Sequence, residues 1–78
     1  MASLRTPTTK EIGQGVVRVL SVDTCVTGDT VSYKGKVGSF LVVNKTTADA
    51  ASVTWTPSTQ LFAVTVANTP NIDIWVLP

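Results

Sequence analysis

Two glycine-containing stretches of the chain have residue types that could bind a phosphate group. In the first, TGDTVSYKGKVGSF, a P-loop would need a glycine five residues before Gly35-Lys36 and a hydroxyl directly after the pair, but Thr30 and Val37 stand there. In the second, Gly13-Gln14-Gly15 begins a dinucleotide-binding fingerprint, but Arg18 occupies its third glycine position. Neither stretch therefore predicts a nucleotide site. We expect Gly28-Asp29 and the segment from Gly35 to Gly38 to supply positive-φ turn positions between strands.

The side chains that could act as acid, base or nucleophile are few and scattered. The chain has no histidine and a single cysteine, Cys25, which we interpret as a small buried hydrophobe. Asp23 and Asp29 could flank one turn and bind calcium, although solvated turn aspartates are the commoner case. No two acids have a recognisable catalytic spacing. We therefore expect no enzyme activity, no cofactor, no metal and no small-molecule substrate.

Composition limits the possible partners of the chain. Its 78 residues suffice for one small domain, and charged residues make up only 14% of them, with a net charge of +1. The basic residues form no stripe or patch, which disfavours nucleic acid and membrane surfaces. No secretory leader and no apolar run near 20 residues is present, which favours synthesis in the cytoplasm. Because one cysteine and no histidine leave no disulfide and few metal options, so small a domain is expected to gain stability from neighbouring proteins.

The chain has the composition and periodicity of an all-β protein. Valine and threonine occur 13 times each, and both prefer pleated backbone. We predict a small single-domain β-barrel or sandwich of about six short strands over residues 16–78, preceded by an extended N-terminal arm, residues 1–15. The predicted strands are 16–22, 30–34, 39–44, 52–56, 60–67 and 71–78. A type I turn at Thr56-Pro57-Ser58-Thr59 is predicted to join the fourth and fifth of them as a hairpin.

The order of several short motifs resembles that of one protein family. The motifs are Thr27-Gly28-Asp29-Thr30-Val31, then Gly35, Val37-Gly38, a loop of small residues and Leu61-Phe62-Ala63-Val64. This order resembles the small capsid decoration, or cement, proteins of tailed bacteriophages, and the resemblance covers Gly13 to Val66. The chain departs from that pattern at Ser39-Phe40, where a small apolar pair is usual, and before Leu61, where a glycine is usual.

The resemblance implies a non-enzymatic virion structural protein with a β-barrel-like body. Such a protein sits on the outer surface of a phage head, commonly as a homotrimer, and stabilises the lattice of the major capsid protein. In that setting the arm is expected to be disordered in solution and to order on the capsid, with Leu4, Arg5 and Ile12 as its contacts. An ordinary frayed terminus is the alternative for the arm.

Two further expectations concern the last strand and the competing functions. Ile74, Trp75, Val76 and Leu77 put apolar residues on both faces of the strand, so we predict a subunit interface there, or pairing with a neighbour's sheet edge. Packing inside the core is the alternative. The other functions to consider are a phage tail or fibre module, or another virion structural module, that binds a protein or glycan, and a ligand-binding barrel whose pocket is formed by Tyr33, Trp55 and Phe62.

Overall fold

The computed structural model describes residues 3–46 and 49–78, in which eight β-strands form two four-stranded sheets. The strands are β1 (Leu4–Arg5), β2 (Thr8–Ile12), β3 (Val17–Val22), β4 (Thr30–Ser32), β5 (Ser39–Asn44), β6 (Ala51–Thr56), β7 (Leu61–Val66) and β8 (Ile72–Leu77). The first sheet has the order β1-β4-β7-β6 and the second the order β2-β3-β8-β5. All pairs are antiparallel except β1 with β4, which is parallel. The all-β class predicted from the sequence is confirmed.

Each of the six predicted strands is present, and β5 has the predicted bounds. The count of about six is too low because the predicted arm itself contains β1 and β2. The five residues of β2 pair along their whole length with β3, through a hairpin whose loop contains Gly13, Gln14 and Gly15 in left-handed conformations. Residues 3–12 are therefore extended, as predicted, but they are paired with the body of the domain. We call residues 3–12 the strap.

The core lies between the two sheets and contains side chains from both. Its buried members are Leu20, Val22, Cys25, Val31, Phe62, Val64, Ile72, Ile74 and Val76. Alternate residues of β3, β7 and β8 supply seven of these side chains, because successive residues of a strand point to opposite faces of the sheet. The placement of Cys25 in the core, fully buried, confirms its interpretation as a small hydrophobe.

The strap passes from one sheet to the other. Its first strand, β1, adds to the first sheet next to β4, and its second strand, β2, adds to the second sheet next to β3. Thr6 and Pro7 make the crossing between them. The strap therefore closes one side of the sandwich, where the two sheets would otherwise present open edges.

A buried carboxylate holds the strap in place. Asp29 is fully buried, and its Oδ1 accepts a hydrogen bond from the Ser3 N–H at 2.9 Å. Its Oδ2 accepts from the Val26 N–H at 3.0 Å and from the Arg5 guanidinium at 3.1 Å. The guanidinium also donates to the backbone carbonyl oxygens of Asp23 and Thr24. The expectation that Asp29 is a solvated turn residue is wrong, because its carboxylate is enclosed by donors from the strap and from the preceding turn.

The position of β8 differs from the expectation for the last strand. β8 lies inside the second sheet, between β3 and β5, so it cannot pair with the sheet edge of a neighbouring chain. Ile74 is fully buried and Val76 is 2% exposed, both in the core. The predicted interface is therefore wrong for these two residues. Trp75 and Leu77 point to the other face of the sheet and are half-buried.

The turns agree with the predictions made from the sequence at some positions and differ at others. Gly28 has the positive φ expected of it, whereas Gly35 and Gly38 do not, so the prediction is wrong there. Gly38 is required for a different reason, since a Cβ atom would collide with the carbonyl of Pro78. The β6–β7 hairpin is present, but its loop includes Gln60, which takes a left-handed φ of 56° and donates its N–H to the Thr56 carbonyl at 2.9 Å.

We predict that the Arg5–Asp29 contact contributes substantially to stability. Arg5→Ala should lower the free energy of unfolding by about 2 kcal/mol, because it leaves a buried carboxylate without its counter-charge. Lys10→Ala is the matched control: it removes an exposed cation from the same strap and should change stability by less than about 0.5 kcal/mol. Denaturant titration of the purified variants measures both, and equal effects would contradict a specific role for Arg5.

Candidate functional site

The outer face of the second sheet is the surface most suited to binding another protein. Seven apolar side chains point away from the core there, and we call them the apolar face: Ile12, Val17, Val19, Leu41, Val43, Trp75 and Leu77. All four strands of the sheet contribute to it. A sheet face that meets solvent is usually polar, so this composition needs an explanation.

The strand registers show why these residues share one face. Trp75 pairs with Val19 on one side and with Leu41 on the other, and all three alternate with core residues along their strands. Ile12 pairs with Val17 at the β2 edge of the sheet. Directly paired residues of an antiparallel sheet point to the same side. The apolar face is therefore continuous across the sheet.

Exposure is greatest toward the margins of the apolar face. Leu41 is 49% exposed, Val43 40% and Ile12 37%, whereas Val19 near the centre is only 4% exposed. Asp73 pairs with Val43 at one end of the face, where it accepts a hydrogen bond from the Ser21 hydroxyl at 2.6 Å and lies 3.0 Å from the Lys45 amine. Asp73 is thus paired at this end of the face, whereas Lys10 of β2, directly opposite Val19, places one exposed cation on the β2 side of the face.

One polar atom in the apolar face lacks a partner. The indole Nε1 of Trp75 is buried and makes no hydrogen bond with the described residues. An unsatisfied buried donor costs about 1–3 kcal/mol, and tryptophan N–H groups usually find an acceptor when buried. The indole ring of Trp75 therefore lies in the face with its N–H turned away from solvent and unsatisfied by the described residues.

The outer face of the first sheet has a different chemistry. Hydroxyl side chains dominate it, and they come from three adjacent strands: Thr30, Ser32, Ser52, Thr54, Thr56 and Thr65. No side chain of this set carries a charge, and hydroxyls of this kind interact well with water. The sandwich consequently has one hydroxyl-rich outer face and one apolar outer face.

The structure separates the three residues predicted as contacts of the arm. Ile12 belongs to the apolar face, but Leu4, which is 65% exposed, pairs with Thr30 and points to the hydroxyl-rich side. Arg5 points inward to Asp29. These residues therefore cannot act together on one flat partner. Of the residues predicted for the last strand, Trp75 and Leu77 remain on a surface.

Sequence analysis did not identify Val17, Val19, Leu41 and Val43 as parts of the candidate site. A signal for the last two is present in the segment SFLVVN, where consecutive apolar residues break the alternation expected of a strand with one solvated face. The contribution of Val17 and Val19 depends on the pairing of β3 with β8, which lie far apart in the chain. Long-range pairing of this kind is not encoded in local periodicity.

The three aromatic residues considered for a ligand pocket pack together instead. The ring of Phe62 is fully buried, 4.6 Å from the Trp55 ring and 6.3 Å from the Tyr33 ring. These distances are typical of packed aromatic pairs in a core. The rings therefore fill the space between the sheets, and the expectation of a pocket formed by the three is not met.

A cavity of about 220 Å³ is present at one end of the sandwich. Tyr33 is the only member of the aromatic cluster that lines it, together with Gly15, Val16, Arg18, Gly35, Lys36, Val76 and Pro78. The two cationic side chains are exposed, and Arg18 faces Glu11 at 3.8 Å. A binding pocket usually combines an apolar lining with convergent, buried polar groups, and this cavity lacks the latter among its described lining residues.

The two buried titratable groups each have one dominant protonation state at neutral pH. Burial, together with the neighbouring Asp29 carboxylate, raises the pKa of the Cys25 thiol to about 11, so the thiolate nucleophile is absent at neutral pH. Burial also raises the pKa of Asp29, but the hydrogen bonds from Val26, Ser3 and Arg5 outweigh it and hold that pKa below its ordinary value. Asp29 therefore stays ionised and accepts the hydrogen bonds that hold the strap.

Within residues 3–46 and 49–78, no group of three or more cysteine or acidic side chains is arranged to hold a metal ion. The same part of the chain contains no helix that is long and apolar enough to cross a membrane.

We predict that the protein loses stability at acid pH through Asp29. Because the folded-state pKa of Asp29 lies below its unfolded value of about 3.9, its contribution is present above that value and is lost as the pH falls further. Unfolding titrations at a series of pH values should show the free energy decreasing below about pH 4. Asp29→Asn should be less stable at neutral pH and should show a smaller decrease. Equal pH dependence in the two proteins would contradict this assignment.

Comparison of the chain with protein-family models, with curated proteins and with solved structures found no match.

Proposed function

We propose that the protein is a non-enzymatic structural component of a virion, which binds the outer surface of a phage head and stabilises the lattice of the major capsid protein. The observation that carries this proposal is the apolar face. Contiguous exposed apolar side chains on a small protein mark a surface that another protein covers. A chain with few charged residues has little to keep such a face soluble on its own, so a permanent partner is favoured.

The two outer faces give the bound protein an orientation. The apolar face lies against the shell, and the hydroxyl-rich face of the first sheet points to solvent. The molecule measures 32 × 26 × 18 Å, so its broad side is of the order of the roughly 800 Å² that one partner contributes to a standard protein interface. A flat, two-layered body of this size can cover the junction between neighbouring shell subunits.

Trp75 is the proposed centre of the contact. Tryptophan is enriched among the residues that dominate binding energies, particularly where surrounding side chains exclude water. Val19 and Leu41 flank Trp75 on both sides and provide that surrounding.

Repetition of the contact over a shell supports the proposal energetically. Neighbouring copies on one lattice need only a modest affinity each, because many simultaneous contacts hold the shell subunits together. The family resemblance over Gly13 to Val66 gives the same function. It also implies that the partner is the major capsid protein and that the site of action is the outside of the virion.

We predict that Ile12→Lys weakens binding to phage heads. The substitution places a charge in the apolar face, far from the β5 edge, and should lower affinity about tenfold or more, because a desolvated unpaired charge opposes docking. Thr65→Lys introduces the same side chain on the opposite, hydroxyl-rich face and is the matched control. Co-sedimentation with emptied heads of tailed phages, at a series of protein concentrations, measures the affinity of each variant.

Two outcomes would contradict the proposal. One is the absence of wild-type binding to heads combined with binding to a glycan array, which would favour the tail or fibre module. The other is equal binding by Ile12→Lys and Thr65→Lys, which would exclude the apolar face as the contact.

A further inference from the structure

The strand β5 forms an unprotected edge of the second sheet. It pairs with β8 on one side, and no other described strand pairs with it on the opposite side. Its sequence, SFLVVN, contains no charged residue and no proline. Soluble proteins usually protect a long edge strand with lysine, proline, a bulge or a covering segment. This edge has the properties of a strand that pairs with another chain.

The backbone groups at this edge can be assigned from the hydrogen-bond pattern. The Lys45 N–H donates to the Asn71 carbonyl at 2.8 Å, in register with the pairing of Val43 with Asp73. Residues of an antiparallel strand alternate between bonding to one neighbour and to the other. The odd-numbered residues of β5 therefore bond to β8, and the N–H and C=O groups of Phe40 and Val42 point to the open side.

We propose that β5 pairs with β5 of a second copy of this chain, antiparallel, about a two-fold axis at Val42. In a symmetric antiparallel pair the axis passes midway between the two copies of one residue, which either exchange hydrogen bonds with each other or form a non-hydrogen-bonded pair. An axis at Val42 overlaps residues 40–44 and an axis at Leu41 overlaps residues 39–43, and only the axis at Val42 sets Leu41 of each copy opposite Val43 of the other. The two second sheets then become one continuous eight-stranded sheet.

This register places the most exposed apolar residues of the strand against one another. With the axis at Val42, Leu41 of each copy lies opposite Val43 of the other, on the outer face. Closely spaced cross-strand pairs of this kind stabilise a sheet. The two apolar faces meet at the axis, so the dimer presents one apolar surface twice as large.

Charge favours a second copy as the occupant of this edge. Pairing of two identical strands brings together identical charges, and β5 has none over Ser39–Asn44. The nearest cation, Lys45, is already paired with Asp73 of its own chain at 3.0 Å. Phe40 lies at the same edge and remains 36% exposed, although its ring reaches Phe62 at 5.3 Å.

The proposal goes beyond the binding of a phage head and does not depend on it, since the pairing forms in solution. It also differs from the homotrimer that the family resemblance implies, because a two-fold pairing of one edge closes with two copies.

Two double variants test the register by charge. In Leu41→Lys/Val43→Lys, each of the two cross-strand pairs brings like charges together; in Leu41→Glu/Val43→Lys, each pair brings opposite charges together. The two variants are substituted at the same two positions. Both carry lysine in place of Val43, opposite Asp73, so they differ only at position 41. We expect sedimentation equilibrium to show a dimer for the wild type and for the Glu/Lys variant, with the Lys/Lys variant dimerising at least about tenfold more weakly.

Hydrogen exchange of two adjacent amides provides an independent measurement. The Leu41 N–H, bonded to β8, should be protected at all protein concentrations, whereas the Val42 N–H should become protected only as the dimer forms and should exchange freely in the Lys/Lys variant. A wild-type monomer at the highest concentration, a trimer, or equal association of the two double variants would overturn the proposal. A wild-type protein that binds phage heads as a monomer would overturn the β5 pairing and leave the proposed function intact.

Discussion

The carboxylate of Asp29 is the point at which separate parts of the chain are joined. Burial of an ionised carboxylate is unfavourable unless hydrogen-bond donors replace its water, and here two backbone N–H groups and the Arg5 guanidinium do so. The donors come from the strap and from the turn before β4. The carboxylate secures β1 directly, and β2, two residues further along the strap, is held by its pairing with β3. A chain of this size without a disulfide depends on such a contact.

The strap also makes the two sides of the sandwich unequal. On its side, β1 and β2 complete the two sheets, and the crossing at Thr6-Pro7 connects them. On the other side, the edges of β5 and β6 end the sheets without a comparable covering segment among the described residues. The edge of β6 carries hydroxyl residues outward, whereas β5 is apolar on both faces. The asymmetry therefore leaves one apolar strand edge available to another chain.

The sequence predicted the elements of the fold better than their arrangement. Valine-rich and threonine-rich segments between turn residues identified six strands, because local alternation and turn chemistry determine where strands begin and end. The strand β2 was missed because its sequence, TTKEI, has no apolar alternation, and only its pairing with β3 makes it a strand. Asp29 was interpreted as solvated because its burial also depends on a contact between distant parts of the chain. Its partner Arg5 is 24 residues away, and no local pattern indicates that the two meet.

The apolar face follows from the number of layers in so small a domain. Two sheets enclose a single interior, so each strand can bury only one of its two faces within the chain. β5 and β8 nevertheless carry apolar residues on both faces, and β3 does so in part. Leu41, Val43 and Trp75 are therefore left outside an interior that is already filled by Ile74 and its neighbours. Exposed apolar area of this extent lowers solubility and adds nothing to the core, which is the physical reason for proposing a partner that forms a third layer over the second sheet.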